Sequence, residues 1–313
     1  MIKYLLKRVL MGILALFAVS AITFFLMNLV PGGPFLSEKA PSAAVLAKLE
    51  EKYGLDKPLY VQYGNWLKDL AHGDFGVSFK MQKNRPVTTI IKEMFPVSLK
   101  VGIYAMIWAI IFGIVFGCIA AYHRGGIIDS VLRVVTTLGV VLPTFVTASI
   151  LLVLFAGGVW KILPSIVGAH AKWYAYILPC FTLGLSPMCN IARYTRSSML
   201  DALGQDYIRT AYAKGVSNRK VIFKHALRNA LIPVVSYIGP MTAYILTGGF
   251  VTETVFNIPG LGRYFVQSIS NRDYPIIMGT TVFLAAFVIV MTLAVDILYK
   301  FIDPRIDLAK EDE

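Results

Sequence analysis

The sequence predicts an all-α membrane protein of six transmembrane helices, with a small external subdomain after the first. Two observations carry that prediction. The 313 residues are 57% hydrophobic and only 15% charged, with a mean hydropathy of +0.66, whereas an ordinary globular chain carries roughly a quarter charged residues. One soluble core and its wetted surface cannot share that composition, and it is far too apolar for a disordered chain. In addition, six apolar runs approach or exceed the about 20 residues that a spanning helix needs, at 9–30, 97–121, 131–158, 174–192, 231–252 and 276–299.

The first run follows Lys3, Lys7 and Arg8. Its apolar stretch from Val9 to Val30 exceeds the roughly 7–15 residues of a secretory signal core, and it ends in Pro31, Gly32, Gly33 and Pro34 without a small-x-small cleavage site, so it reads as a retained anchor. The segment 31–96 differs in kind. Charges of both signs, Tyr53, Tyr60, Tyr63 and Trp66, and turn residues such as Gly73, Asp74 and Gly76 make it a small external subdomain, with helical spacing over Ala43 to Tyr53 and Pro58 to Leu70. The chain therefore divides into 1–30 (cytoplasmic residues and first helix), 31–96 (external), 97–299 (membrane core with a cytoplasmic loop at 193–230) and 300–313 (cytoplasmic tail).

The net charge of +12 would suggest nucleic acid in a soluble protein; here it records topology and contact with anionic lipid, and no nucleic acid partner is expected. With the N-terminus inside and the long segment 31–96 set aside, sixteen basic residues fall on the cytoplasmic side and five on the other. That count puts both termini in the cytoplasm. Cys118, Cys180 and Cys189 each lie in an apolar run and read as reduced packing thiols rather than a disulfide framework.

The loop between the fourth and fifth runs carries the chemistry. Met199, Leu200, Leu203, Tyr207, Ile208 and Tyr212 recur largely at steps of three and four, one apolar stripe on a helix. Gly215 interrupts the pattern, and Ser217 or Asn218 can cap a second helix with Val221, Ile222, Ala226 and Leu227 on one face and Lys220, Lys224 and Arg228 on another. Such a pair fits an interfacial helix with its basic face on anionic headgroups, or a rigid element that docks into a cytoplasmic partner. Composition does not choose between them.

The residues Arg209, Thr210, Ala211, Tyr212, Ala213, Lys214 and Gly215, followed by His225, Ala226, Leu227, Arg228 and, after Ile232, Pro233, resemble the cytoplasmic loop of ATP-binding-cassette (ABC) importer permeases. Arg209 and Thr210 stand where the general signature has Glu and Ala, and the distance from Gly215 to Pro233 is longer than in sugar permeases. Both departures resemble the peptide-permease branch, and within it the B-type subunit of oligopeptide importers. Leu29 to Pro34, Tyr53 to Lys57, Leu70 to Phe79, Glu253 to Gly262, Asn271 to Pro275 and Ile302 to Arg305 extend the likeness, in order, over nearly the whole chain.

That resemblance implies a type I ABC importer permease core and an ATPase-coupling role for the loop residues just named. It implies as partners a homologous C-type permease subunit, one or two cytoplasmic ABC ATPases, an external peptide-binding protein, peptide substrate and membrane lipid, in a bacterial or archaeal cytoplasmic membrane. ATP and magnesium would sit on the ATPases, with no cofactor on this chain, which has no GxxxxGK[ST] phosphate loop. The residues contain no converging nucleophile, base and orienting group, so no enzyme is expected. His225 has no second ligand at metal spacing, and His72, His123 and His170 are equally isolated; no metal site is expected.

Glu253, Phe256, Pro259, Gly260 and Gly262, with Gly248 and Gly249 before them, read as an external turn packed on the bundle, its glycines giving tight backbone geometry, or as an external gate or binding-protein contact. Asp296 in the last run is a cytoplasmic-end acid with a partner, or a proton relay; Lys100 can snorkel. Pro143, Pro179 and Pro187 lie within runs and free backbone carbonyls. The rival functions are a proton-coupled secondary peptide transporter, with Asp296 as its candidate, and a membrane-embedded enzyme or assembly factor.

Overall fold

The computed structural model describes residues 2–35, 43–168 and 171–302. His170, Asp303, Arg305 and Lys310 lie outside them, and the tail is described only to Ile302. The helices are α1 (Ile2–Leu29), α2 (Ala43–Tyr53), α3 (Leu59–Ala71), α4 (Val87–Tyr122), α5 (Ile127–Val141), α6 (Thr144–Leu151), α7 (Ile177–Leu203), α8 (Asp206–Ala213), α9 (Asn218–Lys220), α10 (Leu227–Leu246), α11 (Phe250–Val255), α12 (Leu261–Asn271) and α13 (Tyr274–Ile302). Wider i→i+5 turns at Leu152–Gly157 and Val221–Ala226 extend α6 and lead into α10.

Among the described residues, five helices are long and apolar enough to cross a membrane, and a sixth exists only as the pair Ile127–Val141 and Thr144–Gly157, bent by 110°. The run expected to be continuous over 131–158 is thus broken, and Pro143 is the reason. A proline disfavours helical backbone in the residue before it, and Leu142 is extended, with φ −66° and ψ 123°. Pro96, Pro187, Pro233 and Pro240 are carried inside helices. Pro179 frees no carbonyl of α7, because it lies in the first turn.

The chain forms two compact units, one of Met1–Ser98 with Pro259–Leu293, the other of Leu99–Ile258 with Ala294–Ile306. The first unit gathers the first helix, the chain on to Ser98 and 259–293, the last of which is placed above with the membrane core. Side-chain contacts explain why. In the first unit Val87, Ile90 and Ile91 of α4 share a core with Leu261, Ile276 and Leu284, and the Leu261 N–H donates to Ser98 Oγ at 2.8 Å. Tyr63 of α3 packs with Phe24 and Met278, its hydroxyl 2.8 Å from Ser20 Oγ of α1.

The second unit is built on close backbone approach. A Cβ on Gly117 of α4 would stand 2.5 Å from Thr195 Cβ and 2.6 Å from the Ala192 carbonyl, and one on Gly113 2.7 Å from Ile191 Cβ. A Cβ on Gly184 of α7 would likewise stand 2.8 Å from the Ala105 carbonyl, and one on Gly102 2.7 Å from the Ile245 carbonyl of α10. Gly113 and Gly117 are a small-xxx-small pair, which lets membrane helices touch where no hydrophobic force drives them together. The three cysteines are buried free thiols. We predict that Gly117→Val lowers stability by about 1–3 kcal/mol through overpacking, read as a fall in the thermal midpoint of the detergent-solubilised chain. Gly157→Ala, where a Cβ meets nothing within 4 Å, leaves that midpoint unchanged; equal midpoints for Gly117→Val and the parent chain would refute the packing argument.

Candidate coupling site and polar anchors

The stripe read as one helix from Met199 to Tyr212 is two helices, separated at Gly204 and Gln205. The break narrows the expected 193–230 loop, since 193–203 continue α7 and 227–230 begin α10. Met199, Leu200 and Leu203 of the first half and Ile208 of the second still turn to one core, whereas Tyr207 and Tyr212 are exposed. Ile208 and Ala211 of α8 are buried with Val221, Ile222 and Ala226 against Met199 and Ala202 of α7, Cys118 and Ala121 of α4, and Ala230 of α10. Tyr207 and Asn229 add a polar tie of 2.9 Å between α8 and α10.

Helix α8 ends at Gly215, whose φ is +73°. The Gly215 N–H donates to Tyr212 O at 2.9 Å and the Val216 N–H to Ala211 O at 3.1 Å, the paired bonds of a Schellman turn, with Val216 packed on the same core. Nothing lies within 4 Å of a Cβ built on Gly215. Backbone handedness, not space, requires glycine here.

The signature residues divide into two sets. Ala211 and Ala226 are buried and Leu227 is half-buried against the core, whereas Arg209, Thr210, Ala213, Lys214, Gly215 and Arg228 are exposed and His225 is half-buried. Pro233 is exposed more than a turn into α10. Tyr212 and Phe223, 47% and 63% exposed, add aromatic surface to the basic face. Sequence reasoning missed Phe223, because it falls outside the apolar stripe; an aromatic among lysines was the available signal.

The five external-turn residues are divided too. Glu253 and Phe256 are fully buried in the second unit, where the Phe256 carbonyl accepts from Val167 N at 3.0 Å. Pro259, Gly260 and Gly262 belong to the first unit, where Gly260 precedes α12. Of the glycines in this stretch only Gly248 has a left-handed backbone, φ +95°, and a Cβ on Gly249 would stand 2.8 Å from Leu183 Cδ1. Asp296 is half-buried on α13. Lys100 lies over the ring of Tyr176, 4.6 Å from its centroid, and is held by cation–π attraction.

Two carboxylates that the sequence did not single out anchor the units. Asp129, 1% exposed at the start of α5, accepts from Arg196 Nε and Nη2 of α7 at 2.6 and 2.8 Å and from Gly125 N at 3.0 Å. Bidentate pairing of this kind is what lets a charge be buried. An acid in the first turn of a helix passes for a dipole complement, which hid it. Asp273, fully buried between α12 and α13, accepts from Ser78 Oγ at 2.6 Å, from Phe79 N at 3.0 Å, and from Lys80 N and Met81 N at 2.9 Å. Two of the fragments that carry the family resemblance are thereby joined. Burial, then the Arg272 guanidinium, lowers the Lys80 pKa below its ordinary value, with Asp273 opposing.

A cavity of about 610 Å³ lies within the second unit between α6, α7, α10 and α11. Ser186, Ser236, Tyr237, Met241, Tyr244 and Phe250 are among its walls, which include no Asp, Glu, Lys, Arg or His.

Replacing Asp273 by Asn puts an amide NH2 against backbone N–H donors, so Asp273→Asn should cost about 2–4 kcal/mol. Ser78→Ala should cost about 1 kcal/mol alone and little more on top of Asp273→Asn, because the hydroxyl's acceptor is already compromised. Unfolding midpoints of the two single variants and the double variant check this; simple additivity would refute it.

Residues 113–308 match the family described as binding-protein-dependent transport system inner membrane component, and residues 1–102 match its N-terminal companion. The chain is 44% identical to the dipeptide transport system permease protein DppB of Bacillus subtilis (strain 168), over 99% of this chain and 100% of that one. It is 42% identical to the oligopeptide transport system permease protein OppB of Escherichia coli (strain K12), over 98% and 99%. A crystal structure of an amino acid ABC transporter with histidines superposes with a TM-score of 0.52 at 16% identity, covering 70% of this chain and 95% of that one; that likeness concerns the fold alone. The fold and these two family matches, which together run through nearly all of the sequence, establish that the chain belongs to the binding-protein-dependent transport system inner membrane components.

Proposed function

We propose that this chain is a permease subunit of an ATP-driven peptide importer, forming half of the path for peptides delivered by an external binding protein. The observation that carries the proposal is the division of the 209–228 signature into a buried apolar side and an exposed basic and aromatic side. A short helix seated on the ends of α4, α7 and α10 passes on any push applied to its outer face. Aromatic and arginine side chains are the ones that protein interfaces favour.

In this reading one or two ATPase gene products supply two cytoplasmic ATPases that hold ATP and magnesium and grip the turn at Gly215, and this chain catalyses no reaction. A homologous second permease completes the path. The outer face of α1, where Leu6, Leu10 and Leu14 are exposed, suits packing across that partner. ATP-driven closure turns the path outward, and hydrolysis turns it inward, so coupling is a difference in contact energy between two states of the assembly. The 610 Å³ cavity supports the substrate class. Walls of hydroxyls and apolar groups pass peptides of mixed charge, where a fixed ion would favour one sign.

Both termini and the coupling turn face the cytoplasm and the subdomain 31–96 faces out, on the sixteen-to-five distribution of basic residues. With the native cysteines replaced, an impermeant thiol reagent on intact cells should label Tyr60→Cys, a site 73% exposed, and spare Ser217→Cys; the reverse pattern would overturn the topology.

A β-branched residue at φ +73° incurs about 1–2 kcal/mol of strain. Gly215→Val should therefore insert normally and reduce ATP-driven peptide uptake by the reconstituted complex about tenfold. Unchanged ATPase attachment and uptake would remove the turn from coupling, and peptide uptake without any ATPase subunit would favour a secondary transporter instead.

A further inference from the structure

The cavity between α5 and α7 gathers basic side chains away from the turn at Gly215. It measures about 650 Å³, and its walls include Arg133 and Thr136 of α5 and Asn190, Arg193, Tyr194 and Arg196 of α7. The walls carry three guanidinium groups, and one carboxylate, Asp129, engages two of them. Asp129 is engaged by Arg196 in two short hydrogen bonds and lies 3.7 Å from Arg133 Nε, and among the described residues Arg193 has no acidic partner. The site is therefore short of negative charge, while Thr136 and Asn190 offer neutral polar groups beside it.

What adjoins the cavity identifies the occupant. Directly after Arg133, α5 exposes Val134, Val135, Leu138 and Val141, the last of them by 71%. The helical steps from Arg133 to Val141 cover about 12 Å. A cationic pocket midway along α5 in a membrane-spanning bundle, continued by an uncovered apolar stripe, has the polarity of an amphiphile with an acidic head. Basic pockets between membrane helices bind phosphate headgroups in this way. A soluble anion would fill the pocket and have no use for the stripe.

We infer that this cavity binds the phosphate headgroup of an anionic phospholipid, with an acyl chain laid along Val134 to Val141 of α5. The arginines divide the work. Arg196, fixed by Asp129, is a rigid donor whose orientation does not depend on the lipid, and Arg133 and Arg193 close on the phosphate as solvent-facing arms.

The test uses the full-length chain, purified with whatever subunits accompany it, delipidated and titrated with phosphatidylglycerol, phosphatidylcholine or inorganic phosphate, with binding read by native mass spectrometry and the thermal midpoint. Phosphatidylglycerol should bind in preference to phosphatidylcholine and raise the midpoint. Arg133→Gln and Arg193→Gln should each weaken it about fivefold, as expected for one basic group at a lipid headgroup, and Leu138→Asn should weaken the lipid while leaving any phosphate binding unchanged. Neither arginine makes the main contacts to Asp129, so these variants keep the α5–α7 anchor. Equal binding of the two lipids, unchanged affinity in the Arg133→Gln/Arg193→Gln variant, or displacement of the lipid by millimolar inorganic phosphate would overturn the inference, the last by assigning the pocket to a soluble anion.

Discussion

Helices surrounded by hydrocarbon gain nothing from hiding apolar side chains against one another, since lipid tails are as apolar as leucine. What holds them is how closely their backbones approach. In the second unit that approach is made by glycines: Gly113 and Gly117 of α4 against α7, Gly184 of α7 against α4, and Gly102 of α4 against α10. The core beneath the turn at Gly215 is assembled from the ends of these same helices, with Cys118 and Ala121 following directly on Gly117. The seat of α8 thus continues the α4–α7 contact, which residues without side chains set at Gly117 and in the turns before it.

Much of this was legible in the residues. Apolar runs gave the spans, and period-three-and-four spacing gave α2 within its observed limits and α3 within a residue. Gly215 could be assigned a left-handed turn because so few other roles suit a glycine that interrupts an amphipathic pattern. Pro143 was visible too, but whether a proline kinks a helix or ends it depends on what the neighbouring carbonyls find, and a hydropathy window has no access to that. Likewise the small-xxx-small pair at 113 and 117 was written in the chain, yet its partner helix was not.

The ionic anchors were the least legible part. Asp129 meets Arg196 across 67 positions, and Asp273 meets Ser78 across 195; no periodicity links residues so far apart. Each carboxylate also has an ordinary local explanation, near a helix start, that satisfies a reader of sequence. Their shared feature is burial, a property of the fold. The stretch Gly248 to Gly262 erred in the opposite direction: a cluster of glycines looked like one structural element, whereas it straddles two units and only Gly248 takes up a backbone that glycine alone adopts readily.

The separation of Asp273 from its donors also bears on biosynthesis. The N–H groups of Phe79, Lys80 and Met81 leave the ribosome 192 to 194 residues ahead of the carboxylate that accepts from them, an interval of roughly 10 to 40 s at bacterial elongation rates. Through that interval the subdomain has been made but lacks its acceptor, and most of the other helices are synthesised meanwhile. Its folding is completed only when the α12–α13 junction emerges, so the subdomain is held unfinished until the helices between have been made.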